Sequence, residues 1–137
     1  MENVRYGVIG IGNMGTSHSG WLAGGKIPGA TLTAVCDIDE KRRAWAKENL
    51  PEVAVFEDYK ELLDSKLVDA VIIAVPHYLH PEMAIESLKR NINTMVEKPA
   101  GVYASQIREM NAEAEKHPDV KFAMMFNQRT NPLYQKV

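Results

Sequence analysis

Six short runs rich in β-branched and other apolar residues recur along the chain, at Arg5–Ile9, Thr31–Cys36, Val53–Phe56, Ala70–Val75, Asn93–Val96 and Lys121–Phe126. Stretches of helical pattern separate them, at Met14–Ala23, Asp39–Asn49, Tyr59–Asp64, Pro81–Arg90 and Tyr103–Lys116. Antiparallel neighbours can be joined by a tight turn, whereas parallel neighbours need a crossover long enough to hold a helix. Regular alternation of strand and helix therefore predicts βαβ units and a parallel sheet covered on both faces. The expected class is α/β, a doubly wound parallel sheet of six strands with helices on both faces.

Local punctuation agrees with this order. Asp39 is placed to cap the second helix, and Pro81 fits the first turn of the fourth, where its missing N–H costs nothing. A chain of 137 residues with 45% hydrophobic and 25% charged content is of a size and make-up to hold one core. With no repeat, low-complexity tract or linker, residues 1–130 read as one domain. Asn131–Val137 reads as the first turns of a further helix with Pro132 at its start, the expected beginning of a connection to another domain.

The formal charge of -2 arises from acids and bases scattered along the chain, so no cationic stripe exists to displace counterions from nucleic acid. Cys36 is the only cysteine, which rules out an internal disulfide and a thiol cluster for a metal, and fits a reducing cytoplasm. The first residues lead straight into a strand without the pattern of a secretory signal. The longest apolar run, Ala70–Pro76, is far short of the roughly 20 residues that cross a bilayer. Export, membrane insertion and nucleic-acid binding are all disfavoured.

Immediately after the first strand stands G-I-G-N-M-G, with Gly10, Gly12 and Gly15 in the G-x-G-x-x-G spacing. Gly10 would permit the tight turn, Gly12 would let a pyrophosphate approach the backbone, and Gly15 would let helix and strand pack closely. The anion would rest on the open N–H groups of the helix N-terminus. Asp37 ends the second strand roughly 20 residues further on, where a carboxylate accepts hydrogen bonds from ribose hydroxyls and repels a 2′-phosphate. NAD is therefore expected over NADP. Lys41, Arg42 and Arg43 follow, and are compatible with a phosphate contact or with a solvated helix face. A triphosphate-binding loop is missing, while an S-adenosylmethionine site stays open on the glycine loop alone.

The fifth strand ends in V-E-K-P. Pro99 cannot donate to a ladder and restricts Lys98, so the lysine is held at the sheet edge where ligands of doubly wound folds bind. Glu97 and Lys98 point to opposite faces and need not pair with each other. Both are compatible with solvated charges at a strand end, or with an ammonium that stabilises an alkoxide forming beside a nicotinamide. Trp21, Trp45, Met124 and Met125 read as packing groups.

Taken together, G-I-G-N-M-G with His18, C-D-I-D, A-V-P-H-Y-L-H-P-E-M-A, V-E-K-P and F-N-Q-R resemble the nucleotide-binding half of the Gfo/Idh/MocA oxidoreductases, a family that includes glucose-fructose oxidoreductase and inositol dehydrogenase. The resemblance implies a Rossmann domain in which Gly10, Ile11, Gly12, Asn13, Met14, Gly15 and Asp37 hold the nicotinamide dinucleotide. It implies that Lys98 is the catalytic lysine meeting the hydroxyl of a small polyol or sugar, with Glu97 ordering the nicotinamide side and the Lys98–Pro99 bond cis. Val75, Pro76 and His80 would stand near the nicotinamide ribose, although Val75 and His77 replace the hydroxyl and amide of the family's Thr-Pro-Asn. His80 equally reads as the cap of the helix beginning at Pro81. Asn127, Gln128 and Arg129 would lie on the same edge, leading toward a substrate domain. That second domain carries the family's acid/base partner, so the resemblance implies a nucleotide-binding half that binds cofactor with little turnover of its own. A dinucleotide-sensing module without catalysis is the alternative from a different class.

Overall fold

The structure, a computed structural model, describes residues 3–126, 128–129 and 131–136. It contains β1 (Val4–Ile9), α1 (Asn13–Ala23), β2 (Ala30–Cys36), α2 (Glu40–Asn49), β3 (Ala54–Phe56), α3 (Tyr59–Asp64), β4 (Ala70–Ile73), α4 (His80–Lys89), β5 (Asn93–Glu97), α5 (Ala104–Glu115), β6 (Phe122–Met125) and α6 (Pro132–Gln135). A single 3-10 turn, His77–Leu79, precedes α4. Asn127 of the F-N-Q-R segment and Val137 of the final stretch lie outside the described residues.

All five strand pairs are parallel, in the order β3-β2-β1-β4-β5-β6. Side chains alternate between faces along a strand, and the core divides accordingly. Val8, Val35 and Ile72, in register on neighbouring strands, join Leu22 of α1 and Ala46 of α2 on one side. Their immediate successors Ile9, Cys36 and Ile73 join Leu62 of α3, Met83 and Ala84 of α4 and Met110 of α5 on the other. Burial on both faces explains why these strands are continuously apolar.

Two expectations need correction. β4 stops at Ile73, two residues before the end of its apolar run, because Pro76 carries no N–H and turns the chain into the 3-10 helix. Val75 and Pro76 are thereby released from the sheet to its rim. Met124 and Met125 are half-buried and absent from the core clusters, since β6 is an edge strand paired on one side alone. Strand order reverses between β1 and β4, so the crevice of this fold opens at the carboxyl ends of those two strands.

Candidate functional site

Three glycines shape one side of the crevice, each for a different reason. Gly10 adopts φ +88°, and a Cβ on it would lie 2.7 Å from the Ala74 carbonyl oxygen across the β1–β4 junction. A Cβ on Gly15 would lie 1.7 Å from the Gly10 carbonyl oxygen, so helix and turn touch there through backbone alone. Gly12 differs. Its φ of -72° suits any L-residue, and the nearest atom to its Cβ position is the mobile guanidinium of Arg42 at 3.6 Å. Packing demands glycine at the first and third positions, while the second leaves a floor open.

That floor leads to the N-terminus of α1, which has no side-chain cap and no acid in its first turn. Asp39 and Asp58 cap α2 and α3 through their carboxylates. The exposed N–H groups and the macrodipole of α1 make it the end suited to an anion. Asn13 opens the helix and Met14 lines the crevice, whereas Ile11 is buried and contributes its backbone.

Asp37 is where that backbone goes. Its carboxylate accepts the Ile11 N–H at 2.9 Å through Oδ2 and the Asp39 N–H at 2.8 Å through Oδ1, stapling the glycine turn to the end of β2. Arg42 Nη1 lies 3.4 Å from Oδ2, while Arg43 donates to the Asp37 and Ile38 carbonyls at 3.1 and 2.7 Å. The structure thus separates the clustered bases: Arg42 turns toward the crevice and Arg43 closes the turn. A cavity of about 690 Å³ opens here, lined by Gly10, Met14, Asp37, Arg42, Tyr59 and Pro76 among others. Cys36 lies beneath it, and burial pushes its thiol up to about 12, which leaves it inert as a nucleophile.

The lysine edge adjoins this cavity. β5 ends at Glu97, the Lys98–Pro99 bond is cis as expected, and Lys98 is exposed. A smaller cavity of about 150 Å³ is lined by Lys98 together with Met14, Ala74, Val75, His77, His80 and Glu97. Met14, Ala74 and Val75 belong to both cavities, so the glycine turn and the lysine stand on one lip of the sheet. Lys98 also borders a hollow of about 390 Å³ with Phe126, Gln128 and Arg129.

Buried histidines flank the lysine. His80, 1% exposed, is not a helix cap: Nδ1 lies 2.8 Å from the Pro99 carbonyl oxygen and Nε2 2.7 Å from that of Val75. It fastens the two rim loops together, because a buried ring nitrogen needs a partner and those carbonyls are in reach. His18 of α1 donates from Nε2 to Oε1 of Glu97 at 2.5 Å, with both side chains buried. The sequence shows His18 only as part of a motif, since a partner 79 residues away leaves no local signal. Trp45 packs against the core, but Trp21 stays 44% exposed with its ring edge-on to His18. Among the described residues there is no His, Cys, Asp or Glu cluster that could hold a metal, and no helix long and apolar enough to cross a membrane.

Comparison with known proteins agrees with this geometry. A family model described as an oxidoreductase family with an NAD-binding Rossmann fold matches residues 4–125. The inositol 2-dehydrogenase of Arthrobacter sp. (strain FB24) is 39% identical over 98 residues, covering 72% of this chain and 29% of its own. A crystal structure of myo-inositol 2-dehydrogenase from Lactobacillus plantarum superposes with a TM-score of 0.91 at 32% identity, over 98% of this chain and 40% of that one. Scyllo-inositol dehydrogenase from Lactobacillus casei, solved with bound NAD(H) and scyllo-inositol, gives 0.93 at 27% identity over 98% and 39%. The chain therefore spans well under half the length of these relatives.

Proposed function

The chain belongs to the oxidoreductase family with an NAD-binding Rossmann fold, and from that premise we propose that residues 1–130 bind NAD across the crevice and serve hydride transfer with a secondary alcohol of a polyol or sugar. The observation that carries this is the shared lip: the uncapped N-terminus of α1 and the amine of Lys98 face adjoining cavities. The residues present suit the cofactor, because Gly12 leaves space that a larger side chain would fill and Asp37 keeps its carboxylate at the rim.

Gly10, Ile11, Gly12, Asn13, Met14 and Gly15 would receive the pyrophosphate, and Asp37 the adenosine ribose. Each Asp37 oxygen already accepts one backbone N–H and retains a lone pair for a hydroxyl. A 2′-phosphate there would meet the carboxylate, which supports NAD over NADP. Val75, Pro76, His80 and Glu97 would bound the nicotinamide end, with Gln128 and Arg129 at the outer margin. NAD, when bound, supplies the hydride acceptor. Lys98 would place a fixed positive charge against the alcohol oxygen and stabilise the negative charge that develops there. A reducing cytoplasm suits the lone, buried thiol, and neither nucleic acid nor membrane is needed as a partner.

Calorimetric titration with NADH, NADPH and S-adenosylmethionine tests the cofactor: NADH should bind with a stoichiometry of one, and S-adenosylmethionine binding in its place would overturn the reading. In a polypeptide that turns over an inositol or sugar, Lys98→Ala should abolish NAD reduction while keeping NADH affinity within about threefold. Undiminished turnover by that variant would favour a sensing role instead.

A further inference from the structure

Lys98 is exposed and long, yet the residues on either side of it are held. Glu97 is tied by its side chain to His18, and Pro99 by its carbonyl to His80. The two anchors are unequal in what they connect. His80 joins one rim loop to another, whereas His18 joins the rim to α1, the helix whose N-terminus is open to an anion. Only five residues separate His18 from Asn13 at that N-terminus, so the bond at its far end links the two cavities through a rigid helix.

The bond is not a surface ion pair of small consequence. Glu97 is 8% exposed and His18 5%, and a carboxylate so far from water is costly unless a donor meets it. Glu97 also lines the small cavity beside Lys98, so moving its side chain reshapes that cavity.

We propose that His18 is a positioning residue: by fixing Glu97 it sets the shape of the nicotinamide-end cavity and the place of Lys98, and has no part in holding the adenosine end. This rests on the reading of the crevice as an NAD site. Its consequence is a split between two ligands. ADP-ribose carries the adenosine and pyrophosphate of the cofactor and lacks nicotinamide, so it engages the glycine turn and Asp37 without needing the cavity at Lys98.

The test compares His18→Gln, whose amide nitrogen reaches about as far as Nε2, with His18→Asn, which is too short to reach Glu97. By calorimetry on the 137-residue chain, His18→Asn should weaken NADH binding about tenfold, the ratio expected for one lost buried hydrogen bond. ADP-ribose should bind it as tightly as the unsubstituted chain, and His18→Gln should keep both affinities within about threefold. Parallel losses for both ligands in His18→Asn, or an unchanged NADH affinity, would overturn the proposal. Retained ADP-ribose binding also reports that the variant is folded. Should His18→Asn not fold, the imidazole N–H resonance of His18 in the unsubstituted chain decides: it should shift on adding NADH and not on adding ADP-ribose, and equal responses to the two would refute the role. Failure of the unsubstituted chain to bind NADH would remove the proposed function itself and is thereby distinguishable.

Discussion

The three glycines of the turn carry the most information per residue, because one sequence pattern conceals two physical demands. Gly10 and Gly15 are required by backbone contacts that exist in the folded chain whatever it binds. Gly12 is not, since its φ is ordinary and its neighbour is a movable guanidinium. Gly15→Ala should therefore lower the unfolding free energy by about 2 kcal/mol or more, as overpacking against backbone does. Gly12→Ala should leave stability within about 0.5 kcal/mol and weaken NADH at least about tenfold. Urea melts and calorimetry on the two variants measure both quantities, and equal destabilisation would mean that the second glycine is structural after all. The spacing of the motif was legible in the sequence, and so was Asp37, because both are local. Its bond to the Ile11 N–H was not: it joins two loops across the sheet, and a charged residue at a strand end carries no mark of which amide it will accept.

Among the elements, legibility followed the same division between local and distant causes. Caps were readable because cap and helix are adjacent, and Asp39 accepts from Lys41 and Arg42 as its position suggested. The end of β4 was misplaced by two residues because apolar character persists through Val75 although pairing does not. Ties between helices were invisible, and Arg90 is an instance. Its guanidinium closes α4 onto α3, donating to Asp64 at 2.7 Å and to Glu86 at 2.7 Å. These hydrogen bonds hold both carboxyls below the usual carboxylate range. A group whose pKa falls on folding contributes stability above its unfolded pKa and loses it as pH drops through the folded value. Arg90→Ala should accordingly lower the urea midpoint by roughly 0.3 M at pH 7, a small effect because the pair is largely solvated. The difference should shrink below about pH 4, as both carboxyls become protonated. Urea melts at pH 7 and pH 3.5 test this, and a difference that grows toward acid would reverse the sign assigned here.

For the whole molecule, the sheet order β3-β2-β1-β4-β5-β6 puts the crevice where the chain changes direction across the sheet. Alternation of strands and helices announces a doubly wound fold, but the switch between β1 and β4 belongs to no segment and emerges only from how the crossovers pack. A ligand lying along that switch touches loops after β1, β2, β4 and β5, which come from both halves of the sheet and separate together on unfolding. NADH should therefore stabilise the entire domain. At a free concentration 100 times its Kd the gain is about 2.7 kcal/mol, which raises Tm by several degrees. NADPH should give a smaller shift at equal concentration, because its 2′-phosphate approaches the Asp37 carboxylate with Arg42 alone nearby to offset the repulsion. S-adenosylmethionine, without a pyrophosphate for the N-terminus of α1, should give none. Thermal melts with the three ligands measure these differences side by side. An NADPH shift equal to that of NADH would mean that Arg42 swings from Asp37 to the phosphate and that this crevice does not discriminate between the cofactors.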